Sequence, residues 1–231
     1  MTDKALFTPD AKMTPFWWER VPRPAFEPVP LPQQVDVLVV GSGYTGLQCA
    51  LQTARGGRQT LVIDAEDAGW GCSTRNGGQV STSVKANLDS LTRRFGRERA
   101  TAIVQEGQRS LNWLGRFVAE EGIECDFGVV GRFHAAHNPK QFESLVRSAE
   151  NQPRGLEVPV TVVPRAEQHR ELGTDAYHGG VVYEAHASVD PARYHQGLLE
   201  RVRSAGAQVA ARCPATQLQR DGTGWRVQTP R

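Results

Sequence analysis

The sequence predicts an α/β fold, and three observations support that prediction. Two short runs of β-branched and apolar residues, at 35–40 and 60–64, flank a segment with helical apolar spacing. Further strand-like runs alternate with helical segments along the rest of the chain. The 231 residues are 39% hydrophobic and 23% charged, which is enough apolar material for a folded core and excludes global disorder.

Residues 1–34 are predicted to form an extended arm rich in proline and aromatic residues. Prolines fix φ and remove backbone N–H donors, so the arm is expected to contain neither a helix nor a central strand. Two adjacent tryptophans, Trp17 and Trp18, would be costly in water, so we expect the arm to pack on the body or on a partner. The prolines concerned are Pro15, Pro22, Pro24, Pro28, Pro30 and Pro32.

The first element after the arm is a predicted βαβ unit. Residues 35–40 are a short β-branched run typical of a strand buried on both faces. A glycine-rich turn follows, and then an apolar face at helical spacing that ends at Gly56-Gly57. The run at 60–64 predicts a second buried strand, so the unit has about the expected length of 30 residues.

The remaining elements follow in order. Asp190 and Pro191 form a predicted N-cap and first helical residue, which indicates a strong helix start. Asp221-Gly222-Thr223-Gly224 predicts a turn that makes the last two strands a hairpin. The predicted segments are a loop at 68–83, helices at 88–95, 101–120, 139–149 and 165–172, strands within 123–137 and at 158–163 and 179–184, a helix from 191, and strands at 208–212, 216–220 and 225–229.

The turn at Gly41, Gly43 and Gly46 has the GxGxxG pattern between a strand and a helix, which is typical of dinucleotide binding. The first glycine allows the tight turn, the second lets a pyrophosphate approach the backbone, and the third lets helix and strand pack closely. Asp64 lies 23 residues after Gly41, where a carboxylate accepts hydrogen bonds from ribose hydroxyls and repels a 2′-phosphate. The pattern argues against NADP but leaves FAD and NAD open.

The segment after the second strand separates these cofactors. Trp70-Gly71-Cys72-Ser73-Thr74-Arg75-Asn76-Gly77-Gly78-Gln79, the Phe16-Trp17-Trp18 lead and the GSGYTGL turn together resemble the flavin amine-oxidase family. This is the group of glycine oxidase, D-amino-acid oxidase and sarcosine oxidase, and the likeness is greatest to its gamma-glutamylputrescine oxidoreductase-like members. Glycines there admit the flavin ring, while Arg and Asn donate hydrogen bonds to its oxygens.

The resemblance implies FAD as the cofactor and a small amine or amino acid as the substrate. A hydride passes from the carbon that bears the amine to the flavin, and the resulting imine hydrolyses. No catalytic residue is predicted. The cofactor-binding residues that the resemblance implies are Gly41, Ser42, Gly43, Tyr44, Thr45, Gly46, Asp64, Ala65, Gly71, Ser73, Arg75, Asn76, Gly77, Gly78 and, beside the adenine, Ala215.

The resemblance also implies a division of the chain. Residues 35–122 are expected to form a Rossmann-like FAD-binding domain, and residues 123–187 an incomplete α+β portion of the substrate domain. Residues 188–231 are expected to return to the FAD-binding domain, which would then be truncated.

Two alternatives stay open at this point. The chain could be a non-catalytic fragment or one subunit of a split enzyme, with a partner chain that supplies the missing C-terminal half. It could also be an NAD-binding protein, although a plain NAD fold has no need of the segment at 73–78.

Charge and cysteine content bear on partners and location. Lys and Arg total 27 and Asp and Glu total 25, so no basic surface for nucleic acid or an anionic membrane is predicted. No metal site is predicted, although His134 and His137 have HxxH spacing. Cys49, Cys72, Cys125 and Cys213 are far apart and are expected to be small buried residues, with Cys72 also considered as a flavin neighbour. No secretory signal is seen, and a cytoplasmic location is expected.

Overall fold

A computed structural model describes residues 7–22 and 28–231 of the chain, which fold as two compact units. The first unit contains the described residues up to Gly77, together with Ile123–Cys125 and Asp190–Arg231. The second contains Gly78–Gly122 and Asp126–Val189.

The described helices and strands agree with the predicted mixture of α and β elements. The helices are α1 (Phe16–Arg20), α2 (Tyr44–Arg55), α3 (Leu88–Phe95), α4 (Arg97–Glu120), α5 (Pro139–Glu150) and α6 (Pro191–Ser204). The strands are β1 (Val37–Val40), β2 (Thr60–Ile63), β3 (Gln79–Val80), β4 (Gly128–Val129), β5 (Arg132–Ala135), β6 (Val160–Val163), β7 (Gly180–Tyr183), β8 (Ala187–Ser188), β9 (Gln208–Ala210), β10 (Gln217–Asp221) and β11 (Gly224–Gln228). Short 3-10 turns lie at Cys72–Thr74 and Arg165–Arg170.

The centre of the first unit is a parallel sheet in the order β1-β2-β9. All four residues of β2 are buried, as the sequence predicts for a strand with neighbours on both sides. The prediction that β1 is buried on both faces is wrong. Val39 is buried but Val40 is 55% exposed, because β1 lies at one edge of this sheet.

Helix α6 confirms the predicted start at Asp190-Pro191. The Asp190 carboxylate accepts hydrogen bonds from the backbone N–H groups of Ala192 and Arg193, at 3.0 and 3.1 Å. The helix packs against α2 and buries a continuous face, which comprises Tyr194, His195, Leu198, Leu199 and Val202. This face covers one side of α2, the helix that follows the glycine-rich turn.

The second unit holds two small antiparallel sheets, in the orders β3-β8-β4 and β5-β7-β6. Helices α3 and α4 pack against each other, and α5 packs on β6 and β7. Residues 78–122 lie in the second unit, whereas the expected cofactor domain covers residues 35–122. The reason is that α3 and α4 bury their apolar faces on each other and on neighbouring parts of this unit. The role of each unit stays a proposal.

Three local expectations were wrong. The arm contains a short helix, α1, because no proline interrupts Phe16–Arg20 and Pro15 stands at its N-cap, where no N–H is needed. The loop at 68–83 contains a 3-10 turn and β3. Cys49 and Cys72 are exposed, so only Cys125 and Cys213 are small buried residues. Residues 1–6 and 23–27 of the arm, which include Pro24, lie outside the described residues.

No helix in the described ranges combines the length and apolar character that crossing a membrane requires.

The third glycine of the turn provides a test of the packing between α2 and β1. A Cβ atom at Gly46 would lie 2.0 Å from the carbonyl oxygen of Gly41 and 3.2 Å from the Val39 side chain. Because backbone is the obstacle, Gly46→Ala is expected to lower the free energy of unfolding by about 2 kcal/mol or more. Chemical denaturation measures this loss.

Gly173→Ala is the matched control, since a Cβ there meets nothing within 4 Å. Equal stability of the two variants would contradict the close approach of α2 to the turn.

Candidate functional site

The predicted glycine-rich turn joins β1 to α2 and leaves open space over its first residue. Gly41 has φ +102°, a conformation that L side chains rarely adopt, and its N–H donates to the Ile63 carbonyl at 2.7 Å. No atom lies within 4 Å of the position that a Cβ would take. The backbone at Gly41 is therefore open to a ligand.

The N-terminus of α2 offers free hydrogen-bond donors beside this opening. The Tyr44 N–H donates to the Ser73 hydroxyl at 3.1 Å, and the Leu47 N–H donates to the Gly43 carbonyl. The N–H groups of Thr45 and Gly46 have no hydrogen-bond partner among the residues that the structure describes. Unsatisfied N–H groups and the helix dipole favour an anion at this end of the 12-residue helix.

Asp64 lies next to the turn, directly after β2. Its Oδ2 accepts hydrogen bonds from the backbone N–H and the hydroxyl of Ser42, at 2.7 and 2.6 Å. Its Oδ1 accepts one from the Glu66 N–H at 3.0 Å. A carboxylate oxygen has capacity for a second hydrogen bond, and the residue is half-buried, so Oδ1 can still accept a ligand hydroxyl.

Ser42 connects the turn to two further segments that sequence reasoning missed. Its hydroxyl accepts a hydrogen bond from the Gly69 N–H at 3.2 Å, and its carbonyl lies 2.7 Å from Nε2 of His195. A carbonyl only accepts, so the His195 imidazole carries its proton on Nε2 here. Gly69 has no room for a side chain, because a Cβ would lie 2.5 Å from that imidazole. The one signal for His195 in the sequence is its place on the apolar face of α6.

The segment that carried the resemblance packs against the start of α2. Ser73 accepts from the Tyr44 N–H, and its Oγ would lie 3.0 Å from a Cβ at Gly43. The Asn76 amide donates to the Cys72 carbonyl at 3.1 Å, which closes the 3-10 turn on itself. Gly71 and Gly77 both face open space. The structure thus places Ser73 beside the glycine-rich turn, as a shared ligand site requires.

The aromatic arm holds this segment from its other side. The Trp18 indole N–H donates to the Thr74 hydroxyl at 2.8 Å, and that hydroxyl donates to the Gly69 carbonyl at 2.6 Å. The Trp17 indole N–H donates to the Asn76 carbonyl at 2.8 Å. These bonds confirm the expectation that the arm packs on the body.

Arg75 is held by aromatic rings in the same place. Its guanidinium carbon lies 4.6 Å from the centre of the Trp18 ring and 4.5 Å from that of Trp70. Such cation–π contacts stabilise a charged side chain without neutralising it. The positive charge of Arg75 therefore remains available at the surface of the first unit.

Tyr44 anchors the beginning of α2 to α6. Its hydroxyl donates to the Pro191 carbonyl at 3.0 Å, and its ring meets the Tyr194 ring edge-on at 5.0 Å. Burial is the main cause that raises the pKa of Tyr44 from its usual value near 10 to about 12. Tyr44 is therefore a neutral structural residue and not a candidate base at neutral pH.

Three predicted cofactor residues, Ala65, Ala215 and Gly78, lie outside the glycine-rich turn. Ala65 is exposed directly after Asp64. Ala215 packs on the core formed by Leu61, Ile63, Ala210 and Cys213, and the Cys213 N–H donates to the Asp64 carbonyl at 2.6 Å. Gly78 belongs to the second unit, where its carbonyl accepts from the Val189 N–H at 2.9 Å. All the other predicted cofactor residues lie in the first unit.

Within residues 7–22 and 28–231, no three His, Cys, Asp or Glu side chains come together as a metal site would require. His134 lies in β5, and His137 lies beyond the end of that strand. HxxH spacing therefore produces no ligand set among these residues.

Comparison with known proteins finds a family and several relatives. The chain matches the DAO family, described as FAD dependent oxidoreductase, over residues 36–231. "Probable oxidoreductase OrdL" of Rhizobium meliloti is 28% identical over 216 residues, covering 92% of this chain and 50% of that protein. Gamma-glutamylputrescine oxidoreductase of Escherichia coli is 29% identical over 184 residues, covering 80% of this chain and 43% of that protein. The chain therefore spans about half the length of the curated relatives it matches.

Solved structures show the same fold. Glycine oxidase from Geobacillus kaustophilus superimposes with a TM-score of 0.73 at 18% identity, covering 85% of this chain and 51% of that one. At this identity the likeness shows the fold.

The contact of Trp18 with Thr74 has a measurable energy. Trp18→Phe removes the indole N–H but retains an aromatic ring beside Arg75, so it is expected to lower the free energy of unfolding by about 1 kcal/mol. Trp225→Phe is the control, because Trp225 is 64% exposed. Denaturant unfolding of both variants measures the difference, and an equal loss would show that the hydrogen bond contributes nothing.

The raised pKa of Tyr44 predicts a late step in an alkaline titration. Between pH 10 and about 12 the folded chain keeps a proton that the unfolded chain has lost, so the free energy of unfolding falls as the pH rises through this window. Tyrosinate absorbance follows the step directly. Burial also raises the pKa of Tyr194, so Tyr44→Phe should reduce the amplitude of this step without abolishing it, whereas Tyr177→Phe should leave it unchanged. Equal late amplitudes in the two variants would contradict the assignment to Tyr44.

Proposed function

The chain belongs to the DAO family of FAD-dependent oxidoreductases, and from this premise we propose that its first unit binds FAD for the oxidation of an amine or amino acid. The observation that carries the proposal is the open cradle formed by Gly41, the free N–H groups of Thr45 and Gly46, and the Asp64 carboxylate.

The cradle fits the phosphate and ribose parts of FAD. A pyrophosphate needs close backbone approach and unsatisfied donors, which Gly41 and the start of α2 provide. An adenosine ribose needs an acceptor for its hydroxyls. Oδ1 of Asp64 can accept a further hydrogen bond, and Asp64 follows β2 at the same end of the parallel sheet as Gly41, which follows β1. Ala215 beside the core at β2 offers an apolar contact for the adenine.

The segment at 71–77, which lies in the first unit, is assigned to the flavin end. Gly71 and Gly77 leave open space, the Ser73 hydroxyl lies at the start of α2, and Arg75 keeps an available positive charge. A fixed cation and backbone donors suit the carbonyl and ring-nitrogen acceptors of a flavin.

Bound FAD supplies the two-electron redox chemistry that converts a C–N single bond to an imine, which water then hydrolyses. The residues of this chain bind and orient the cofactor. The N-terminus of α2 balances the phosphate charge, Asp64 accepts hydrogen bonds from the ribose, and the Trp17 and Trp18 contacts hold the segment 71–77 in place. No side chain of this chain is assigned as a proton acceptor.

The substrate class rests on the relatives. One is named for gamma-glutamylputrescine and one structural neighbour for glycine, so a primary amine is the chemistry that the two names share. None of the four cysteines forms a disulfide with a described residue, which supports the cytoplasm as the proposed location. The hairpin β10–β11 exposes Leu218 and Trp225, at 58% and 64%, which supports a further part of the fold or a partner chain that covers it.

Binding of FAD to the purified chain tests the proposal. Titration of FAD, followed by quenching of flavin fluorescence, should give saturable binding with one equivalent per chain. Asp64→Asn should weaken it about tenfold, since a hydrogen bond to a charged group contributes about 1.5–3 kcal/mol. The control is Asp36→Asn: that carboxylate also accepts a backbone N–H, from Gln59 at 2.8 Å, but it precedes β1 at the opposite end of the sheet.

The same titration with NADH tests whether the chain binds NAD and not FAD. NADH binding without FAD binding would overturn the proposal in favour of an NAD-binding protein. If FAD binds, addition of amines and amino acids without oxygen should bleach the flavin absorption, and a colour that survives all of them would contradict the oxidation step.

A further inference from the structure

One face of the sheet β5-β7-β6 in the second unit collects polar aromatic and basic side chains. In a strand, residues two apart share a face, and residues directly opposite on antiparallel strands share it as well. Arg132 pairs with Tyr183 in the register, and His134 lies two residues further along β5. His186 follows β7 and stacks on Tyr183, with 5.5 Å between ring centres. These four residues are called the Arg132 cluster below.

The guanidinium of Arg132 is held in place but has no anionic partner. It lies over the Tyr183 ring, with its central carbon 5.0 Å from the ring centre. Its Nε is shielded from solvent and makes no hydrogen bond with any described residue. No carboxylate in the described ranges forms an ion pair with Arg132. Arg132 is only half-buried, so a guanidinium without an anionic partner here is a candidate for pairing with an anionic ligand.

The nearby acid is directed elsewhere. Glu184 follows Tyr183 along the chain, so its side chain points to the opposite face of the sheet. Its carboxylate accepts a hydrogen bond from the Thr161 hydroxyl at 2.6 Å. It thus leaves the charge of Arg132 without compensation.

The two histidines of the cluster are held in their neutral form. Burial, and then the positive charge of Arg132, lower the pKa of His186, which is only 5% exposed. Burial, Arg132 and then His137 lower the pKa of His134 in the same way. A neutral imidazole still has one N–H to donate, and the Tyr183 hydroxyl can donate as well. The cluster therefore combines one fixed cation with several neutral donors.

We propose that the Arg132 cluster binds the carboxylate of a small organic acid or amino acid. The guanidinium fork matches a carboxylate in two parallel N–H···O bonds, and stacking on Tyr183 pre-organises the fork for them. The neutral donors around it satisfy the remaining lone pairs without adding charge to be desolvated. The carboxylate site stands on the second unit alone; that its ligand is the amino-acid substrate rests on the proposed function.

Histidine NMR on the 231-residue chain tests the site. The chain has six histidines, and the variants His134→Gln and His186→Gln identify the two imidazole signals of the cluster. Acetate and glycine should shift both signals in a saturable way. Methylamine, which has the amine but no carboxylate, should leave them in place. An absence of any acetate response would overturn the site.

Arginine variants separate the charge from the fold. Arg132→Gln should weaken acetate binding at least about tenfold, and Arg132→Lys should lose less because the charge remains. Arg147→Gln is the matched control, since Arg147 is an exposed arginine of the same unit that pairs with Glu143. If Arg132→Gln loses signal dispersion and is unfolded, Arg132→Lys against Arg147→Gln still provides the comparison. Equal acetate affinity in the Arg132 variants and the control would overturn the proposal.

The two sources of the carboxylate are distinguished in the FAD-loaded chain. Tighter binding of glycine than of acetate would assign the site to an amino-acid substrate. Equal binding would exclude that assignment and leave a site for carboxylates in general. Failure of FAD to bind is detected separately by flavin fluorescence, and it leaves the acetate titration unaffected.

Discussion

The first unit depends on the hydrogen bonds of one fully buried residue, Ser42. Its backbone and hydroxyl hold the Asp64 carboxylate at the end of β2, its Oγ accepts from Gly69, and its carbonyl accepts from His195 on α6. Four segments therefore meet at a single position of the glycine-rich turn. Removing any of these partners would leave buried polar atoms unsatisfied, which costs more than the bond itself contributes.

The same arrangement explains how a turn of small residues keeps a defined shape. Gly41 needs a positive φ, Gly46 must lie against the Gly41 carbonyl, and Gly69 must leave room for the His195 ring. Glycine is tolerated because the surrounding contacts restrict it. The donors of α2 that remain free are then presented in one place, which favours a bound anion over solvent.

The arm contributes in a different way. Hydrogen bonds from Trp17 and Trp18 end on Asn76 and Thr74. The rings of Trp18 and Trp70 lie against the Arg75 guanidinium. A segment rich in Gly and Ser has a high conformational entropy when free, so these contacts offset part of the cost of ordering it. The arm therefore orders residues 71–77, the same segment of the first unit that is proposed to bind the flavin. The second unit has its own polar cluster, in which a cation and neutral donors share one sheet face.

Several elements could be predicted from the spacing of residues along the chain. The βαβ unit, the N-cap at Asp190 with Pro191, and the GxGxxG turn depend on residues a few positions apart, so periodicity and φ requirements were enough to predict them. Tertiary structure alone decided the partners of Ser42, the role of the tryptophans and the position of β1 at a sheet edge. His195 is 153 residues from Ser42 and Trp18 is 56 from Thr74, and no local preference encodes which distant group a side chain will meet. The helix α1 was missed for a related reason, because prolines around it dominate the local pattern while its packing against α6 stabilises it. Buried hydrogen bonds and packing therefore determine the geometry of the site, whereas its residue types could be identified from the sequence.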